Sequence, residues 1–350
     1  MPTRFLVTLG LALGCAAPGF AAPQVAADIA PVHALVARVM EGAGAPALIV
    51  PPGASPHGHS MRPSEAAALD EAEVVFWMGE GLTPWLADPI GTLAGDAHVV
   101  ALLGAGESTV RAFREGLTFA PPTAETHEHD DHAGHDHGHD DHGHDDHGHE
   151  DHGHDDHGHD DHGHEDHAGH GHEGHAHDGD DPHAWLDPAN ARAWLGVIAA
   201  ELAEHDPENA ARYAANAAAA REELEALEAE IAARLAPVQD VPYLVYHDAY
   251  QYFEARFGLA AAGALSLSDA ADPGPARIAA LRDLAQEAGI VCVFSEPQFD
   301  GARVASVFGD SVRHDVLDPL GSRHAPGPAL YPALIEDMAA TLERCLGPDR

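Results

Sequence analysis

The chain has 350 residues, with 58 acids, 17 basic residues and 30 histidines, and its formal charge is −41 with histidine neutral. All 17 basic residues are arginine and they form no stripe, so phosphate would repel this chain; nucleic acid and anionic membrane surfaces are disfavoured as partners. The charge is concentrated: residues 124–181 hold 21 acids, 21 histidines and no arginine, leaving 37 acids against 17 arginines, or −20, elsewhere.

Residues 1–22 read as a cleavable secretory signal. Arg4 is the positive start, Phe5 to Ala17 the apolar stretch, and Gly19, Ala21 and Ala22 the small-residue cleavage region. Cys15 would be a lipidation site if the signal were of the lipoprotein type, but Ala12-Leu13-Gly14 before it fits that pattern poorly. The apolar run is too short to span a bilayer and no later stretch reaches about 18 apolar residues, so no transmembrane helix is expected in the mature chain. Once the signal is removed two cysteines remain. In an oxidising compartment Cys292 and Cys345 are expected to pair, the alternative being two unrelated buried thiols.

After the signal, apolar runs alternate with helical patterns: strand Gln24 to Ile29, helix Pro31 to Glu41, strand Ala47 to Val50, helix Pro63 to Asp70 and strand Val74 to Met78. The rhythm then breaks at the segment 124–181, which has no Val, Ile, Leu, Met or aromatic residue and cannot bury enough apolar surface to offset the entropy of ordering. Within it Asp-Asp-His-Gly-His recurs with period five from Asp140 to Asp166, and the histidines from His127 to His177 offer many loose metal sites. Pro207 to Leu235 reads as one long helix, rich in Ala, Glu, Leu and Arg, with Pro237 just past its end; 29 residues span about 43 Å. Beyond it the rhythm resumes with Tyr243 to Tyr246, a helix after His247, then Ile278 to Ala288, Ile290 to Phe294, Val304 to Phe308 and Val312 to Leu317.

Strands alternating with helices predict an α/β protein of two lobes, each with a mainly parallel sheet flanked by helices. The first lobe takes residues 23–206 with the tract inside it, the second residues 237–350, and a rigid linker helix (207–236) joins them as a strut that limits hinge motion.

Ligands in open α/β sheets bind beyond the carboxyl ends of strands, so histidines there are the first candidates for a site. His57 follows strand Ala47 to Val50 in the loop Pro51-Pro52-Gly53-Ala54-Ser55-Pro56-His57. His247 directly follows Tyr243 to Tyr246, and His183 stands in Asp181-Pro182-His183-Ala184-Trp185-Leu186-Asp187-Pro188. Three histidines from separate segments point to a shared metal site, although any one of them alone is more often structural.

At these residues the chain resembles the ZnuA-type periplasmic zinc-binding proteins of ABC importers, a family with manganese-binding relatives. The matching stretches are Gly53-Ala54-Ser55-Pro56-His57 with Met61-Arg62-Pro63-Ser64, the His183 segment, and Tyr246-His247-Asp248-Ala249-Tyr250 through Phe253. Phe294-Ser295-Glu296-Pro297-Gln298-Phe299 and Leu317-Asp318-Pro319-Leu320-Gly321 complete the set. The resemblance implies that His57, His183 and His247 are metal ligands, with Asp318 near the fourth position and water as its alternative. A glutamate just before the first histidine, used in some members, is replaced here by Pro56. His59 stands where the family often has Tyr, and is expected to be a solvated loop histidine rather than a spare ligand.

Three imidazoles suit Zn2+ at about 2.0–2.1 Å per bond, whereas manganese sites favour carboxylate oxygen. Because the ligands must be deprotonated, zinc affinity should fall as pH drops through the imidazole range near about 6.5. The resemblance further implies a monomeric, non-enzymatic carrier in the periplasm that hands zinc to a membrane ABC permease, with a periplasmic zinc chaperone as a second candidate partner. The tract would gather or sense zinc. Three histidines and a water also describe a hydrolase, for which Glu296 and Asp318 would be the nominated bases, neither in a His-Glu-x-x-His helix. A zinc-storage protein would rest on the tract alone.

Overall fold

The structure is a computed structural model and describes residues 22–114, 116, 118–119, 179–266, 274–298, 307–309 and 312–348. The expected signal segment with Cys15, the loop histidines from His127 to His177, the start of the Val304 to Phe308 element and Phe299 lie outside the described residues.

In chain order the first sheet and its helices are β1 (Val25–Ala27), α1 (Ala30–Val39), β2 (Ala47–Leu48), α2 (Pro63–Asp70), β3 (Val74–Trp77), α3 (Ala87–Leu93) and β4 (His98–Ala101). Then come α4 (Pro188–His205) and α5 (Ala210–Leu235). The second sheet follows with β5 (Tyr243–His247), α6 (Gln251–Phe257), β6 (Gly263–Ser266), α7 (Pro275–Glu287), β7 (Cys292–Ser295) and β8 (Arg313–Val316), and α8 (Leu330–Leu346) closes the chain. The sheets are ordered β2-β1-β3-β4 and β6-β5-β7-β8, and every pairing in both is parallel.

Parallel strands connected through helices are covered on both faces, and the alternation of side chains shows it. Val25, Ala27, Val74, Phe76, Tyr243, Val245, Cys292 and Phe294 face one continuous core. Their neighbours split by sheet. Ala26, Val75 and Trp77 pack on the far side of the first sheet with Leu69 and Ile90, and Leu244, Tyr246 and Val293 pack on the far side of the second with Leu281.

The continuous core runs through α5. Tyr213, Ala217, Ala220, Leu224, Leu227, Ile231 and Leu235 are buried at spacings of three and four, a single helical stripe. That stripe packs against α4, α1 and α8, so the helix between the sheets is held along its length and is not a bare strut. It also starts later than expected. Asp206 accepts hydrogen bonds from the Asn209 amide, the Asn209 side chain and the Tyr213 hydroxyl, which turns the chain at residues 206–209 and leaves 26 helical residues, about 39 Å. Among the described residues no helix is long and apolar enough to cross a membrane.

Cys292 on β7 and Cys345 on α8 form a disulfide with Cα atoms 6.1 Å apart, both residues buried. It fastens the closing helix, which also packs on α1 and α5, to the second sheet.

Candidate metal centre

His57 is delivered by the loop after β2. Gly53 holds φ at +81°, a turn that side chains with Cβ resist, and the Trp85 indole N–H donates to the Pro56 carbonyl at 2.7 Å to pin the residue before His57. His247 is the last residue of β5, at the carboxyl edge of the second sheet. His183 opens a short 3-10 turn, Ala184–Leu186, directly before α4, whose N-cap Asp187 accepts from the Ala189 amide.

The three rings converge. One donor atom from each of His57, His183 and His247 lies within 4.8 Å of the others, the single such group of metal-binding side chains among the described residues. Ring centroids are 5.4 Å apart for His57 and His183, 5.6 Å for His57 and His247, and 4.9 Å for His183 and His247. His183 and His247 are each 3% exposed. Pro56, Trp185, Glu296, Gln298, Pro319 and Leu320 complete the wall of the same small cleft.

Carboxylates stand behind two of the rings. Asp181, fully buried, accepts from both the backbone N–H and Nδ1 of His183, the latter at 2.6 Å, and this leaves Nε2 to face the cleft. Glu296 Oε1 stands 3.3 Å from His247 Nδ1, and its Oε2 accepts from the Gln298 amide. Asp181 is also gripped across the cleft by α6: the Gln251 amide donates to its Oδ2, and the Tyr252 hydroxyl donates to its backbone carbonyl at 2.7 Å. Arg114 bonds the carboxylates of Asp248 and Glu254, flanking His247 and α6; these acids and its hydrogen bonds to them outweigh burial and push the guanidinium pKa up.

Two of these placements amend the sequence reading, and a third bears on the fourth position. Asp181 was grouped with the acidic tract, yet it is part of the folded unit, and Asp180 next to it forms a bridge with Ala112. Asp318 is not one of the residues whose donor atoms converge: its Oδ1 accepts from the Leu320 amide and its Oδ2 from both the amide and hydroxyl of Ser322, so the carboxylate braces its own turn. His59 is not solvated: its Nε2 pairs with Glu65 at 2.8 Å, its side chain is 9% exposed, and its ring packs on Trp85. Gln251 and Glu296 acquire their roles through tertiary contacts that no local spacing could assign, whereas Asp181 lies two residues before His183 and the Asp181-Pro182-His183 spacing is the local signal for its role.

A family model described as the periplasmic component A of the zinc-uptake complex matches residues 25–345. The high-affinity zinc uptake system protein ZnuA of Brucella abortus (strain 2308) is 47% identical over 323 residues, covering 92% of this chain and 91% of the relative. Its counterpart in Paracoccus denitrificans (strain Pd 1222) is 45% identical over 347 residues, with 98% of each chain covered. Among solved structures, a crystal structure of ZnuA aligns with a TM-score of 0.67 at 20% identity over 93% of this chain and 100% of the other. A zinc-bound ZnuA lacking residues 138–173 aligns with a TM-score of 0.65 at 19% identity over 94% and 100%. At those identities the two crystal structures bear on the fold.

Proposed function

The chain belongs to the family of periplasmic zinc-uptake component A proteins, and from that premise we propose that it captures Zn2+ on His57, His183 and His247 and passes it to a membrane ABC permease. The observation that carries this reading is the convergence of three imidazoles, contributed by both sheets and the segment between them, in one buried cleft. Nitrogen donors at that spacing select zinc over manganese or calcium. A carrier is favoured over a hydrolase because the two acids nominated as bases are otherwise engaged: Asp318 in its turn, Glu296 beside His247 and Gln298.

Water is the fourth zinc ligand in this reading. Asp181 holds His183 by a hydrogen bond that fixes its ring and tautomer, whereas Glu296 stands 3.3 Å from His247 and acts through its charge; both carboxylates would partly neutralise the bound dication. The acidic, histidine-rich tract supplies many weaker sites that collect zinc. A deletion that probes it should span 124–178, because a cut through Asp181 would also remove the group that orients His183.

The test is growth under zinc chelation. A strain lacking the protein should fail to grow and should be rescued by the full chain and by the 124–178 deletion, but not by a variant with all three histidines changed to Ala. Calorimetry should find one tight site in the deletion variant. Rescue by the triple variant, or loss of the tight site with the tract, would overturn the assignment.

A further inference from the structure

Two further histidines and a glutamate, more loosely gathered than the three-histidine cluster, lie on the other edge of the first sheet. His98 begins β4, the edge strand, whereas His57 follows the far end of β2, so this group is separated from the cleft by the length of the sheet. His98 shares a face of β4 with buried Val100, and that face meets α4. On α4, Glu201 and His205 are one turn apart and lie on the same side as buried Ile198 and Leu202. Sheet and helix packing therefore carries His98 to the rim occupied by Glu201 and His205.

The side chains there come within reach of one another. His98 Nε2 is 2.9 Å from Glu201 Oε2, and the His98 and His205 ring centroids are 5.4 Å apart. Two imidazoles bound to one tetrahedral zinc, each through one nitrogen at about 2.0–2.1 Å, place their centroids roughly 5 Å apart. The three-histidine cluster has the same spacing, 4.9 to 5.6 Å. Among the described residues Glu201 pairs with His98 and with no arginine, so no fixed cation competes for its carboxylate. His205 is also the last residue of α4, where the helix dipole presents its negative end and favours a cation.

We propose that His98, Glu201 and His205 form a second, weaker site for a zinc-like divalent ion, open to solvent and completed by water. Two imidazoles and one carboxylate suit zinc; calcium and magnesium would demand more oxygen. The exposed His205 ring closes the set by rotation of its side chain. A metal there staples the edge strand β4 to the end of α4. The site fills after the cleft does, when zinc is abundant.

Bulk stoichiometry is blind to this site because the tract binds zinc too, so a local readout is needed. Crystals of the full chain equilibrated with excess Zn2+ should show zinc anomalous density between the ring nitrogens of His98 and His205. A filled three-histidine cleft with no density at His98 and His205 would overturn this proposal and leave the transport reading intact. In solution, amide exchange measured by mass spectrometry over 98–101 and 199–206 should slow roughly tenfold when free zinc is ten times the Kd of this site, by mass action. That slowing should vanish in His205→Ala, whose exposed side chain can be removed without disturbing the core, and in His98→Ala. Equal protection in wild type and both variants, or none in wild type, would defeat it.

Discussion

His183 and His59 each sit against a carboxylate, at 2.6 Å and 2.8 Å respectively, and each ring also packs on a tryptophan. Their surroundings differ on the other side. His183 uses Nδ1 for Asp181 and turns its remaining nitrogen toward two imidazoles from distant segments, whereas His59 uses Nε2 for Glu65 and, among the described residues, meets no second histidine ring. Pairing with an acid is thus common to a member of the three-histidine cluster and to a histidine outside it. What makes a metal centre is the meeting of several such rings, which depends on the fold as a whole.

The largest effect that tests this contrast is loss of a converging ring. His183→Ala or His247→Ala should weaken zinc binding by more than the roughly 100-fold that outer-shell partners reach, measured by competition with a chelator. A smaller loss would mean that the cluster is not the tight site. Next comes the carboxylate behind the ligand: Asp181→Asn should cost roughly 10- to 100-fold in affinity, with Glu296→Gln at the lower end of that range because its contact is longer. Asp318→Asn, in contrast, should leave affinity unchanged; a loss comparable to that of Asp181→Asn would restore Asp318 as a ligand.

His59→Ala should leave zinc affinity within twofold of wild type, yet cost about 1–3 kcal/mol of stability because Glu65 loses a partner in a mostly buried position. A drop in affinity without a drop in stability would reverse the distinction between the two histidines.

The smallest effect concerns His33, which is buried on α1 with Nε2 on the Pro46 carbonyl. Burial lowers its pKa below the usual 6.5, outweighing the opposing pull of that carbonyl. A base depressed in the folded state contributes stability that is fully present above the unfolded value and is lost as pH falls through the folded one. Metal-free protein should therefore lose stability on acidification below about 6.5, and His33→Gln should flatten part of that decline in denaturant titrations. An unchanged acid limb in the variant would mean that other groups carry it.

Much of this arrangement was legible before any coordinates because the chemistry is local where it counts. Pro and Gly around His57, the apolar run ending at His247, and the return of apolar residues after His183 mark loops and strand ends directly. The long helix was equally plain, though its start was set three residues early because the turn built on Asp206 depends on Tyr213, a helical turn further on. Strands β4 and β6 were not read. Each is four residues long, β4 is largely exposed, and β6 lies in a Gly- and Ala-rich stretch that carries no alternating pattern. Helix α8 was also passed over, although its buried positions, among them Leu330, Leu334, Ile335, Met338 and Leu342, recur with helical period. Asp181 was assigned to the tract on composition, although its place two residues before His183 was a local signal for its role.

Trp185 has a consequence of a different kind. Its indole N–H is fixed on the Pro319 carbonyl, its own carbonyl accepts from Tyr331, and its ring centroid lies 5.3 Å from that of His183. A buried, immobilised fluorophore beside an imidazole of the three-histidine cluster is an optical gauge built into the cleft. Charge arriving on His183 should perturb the emission of that indole, so that a zinc titration followed by intrinsic fluorescence would read occupancy without a dye in the unmodified protein.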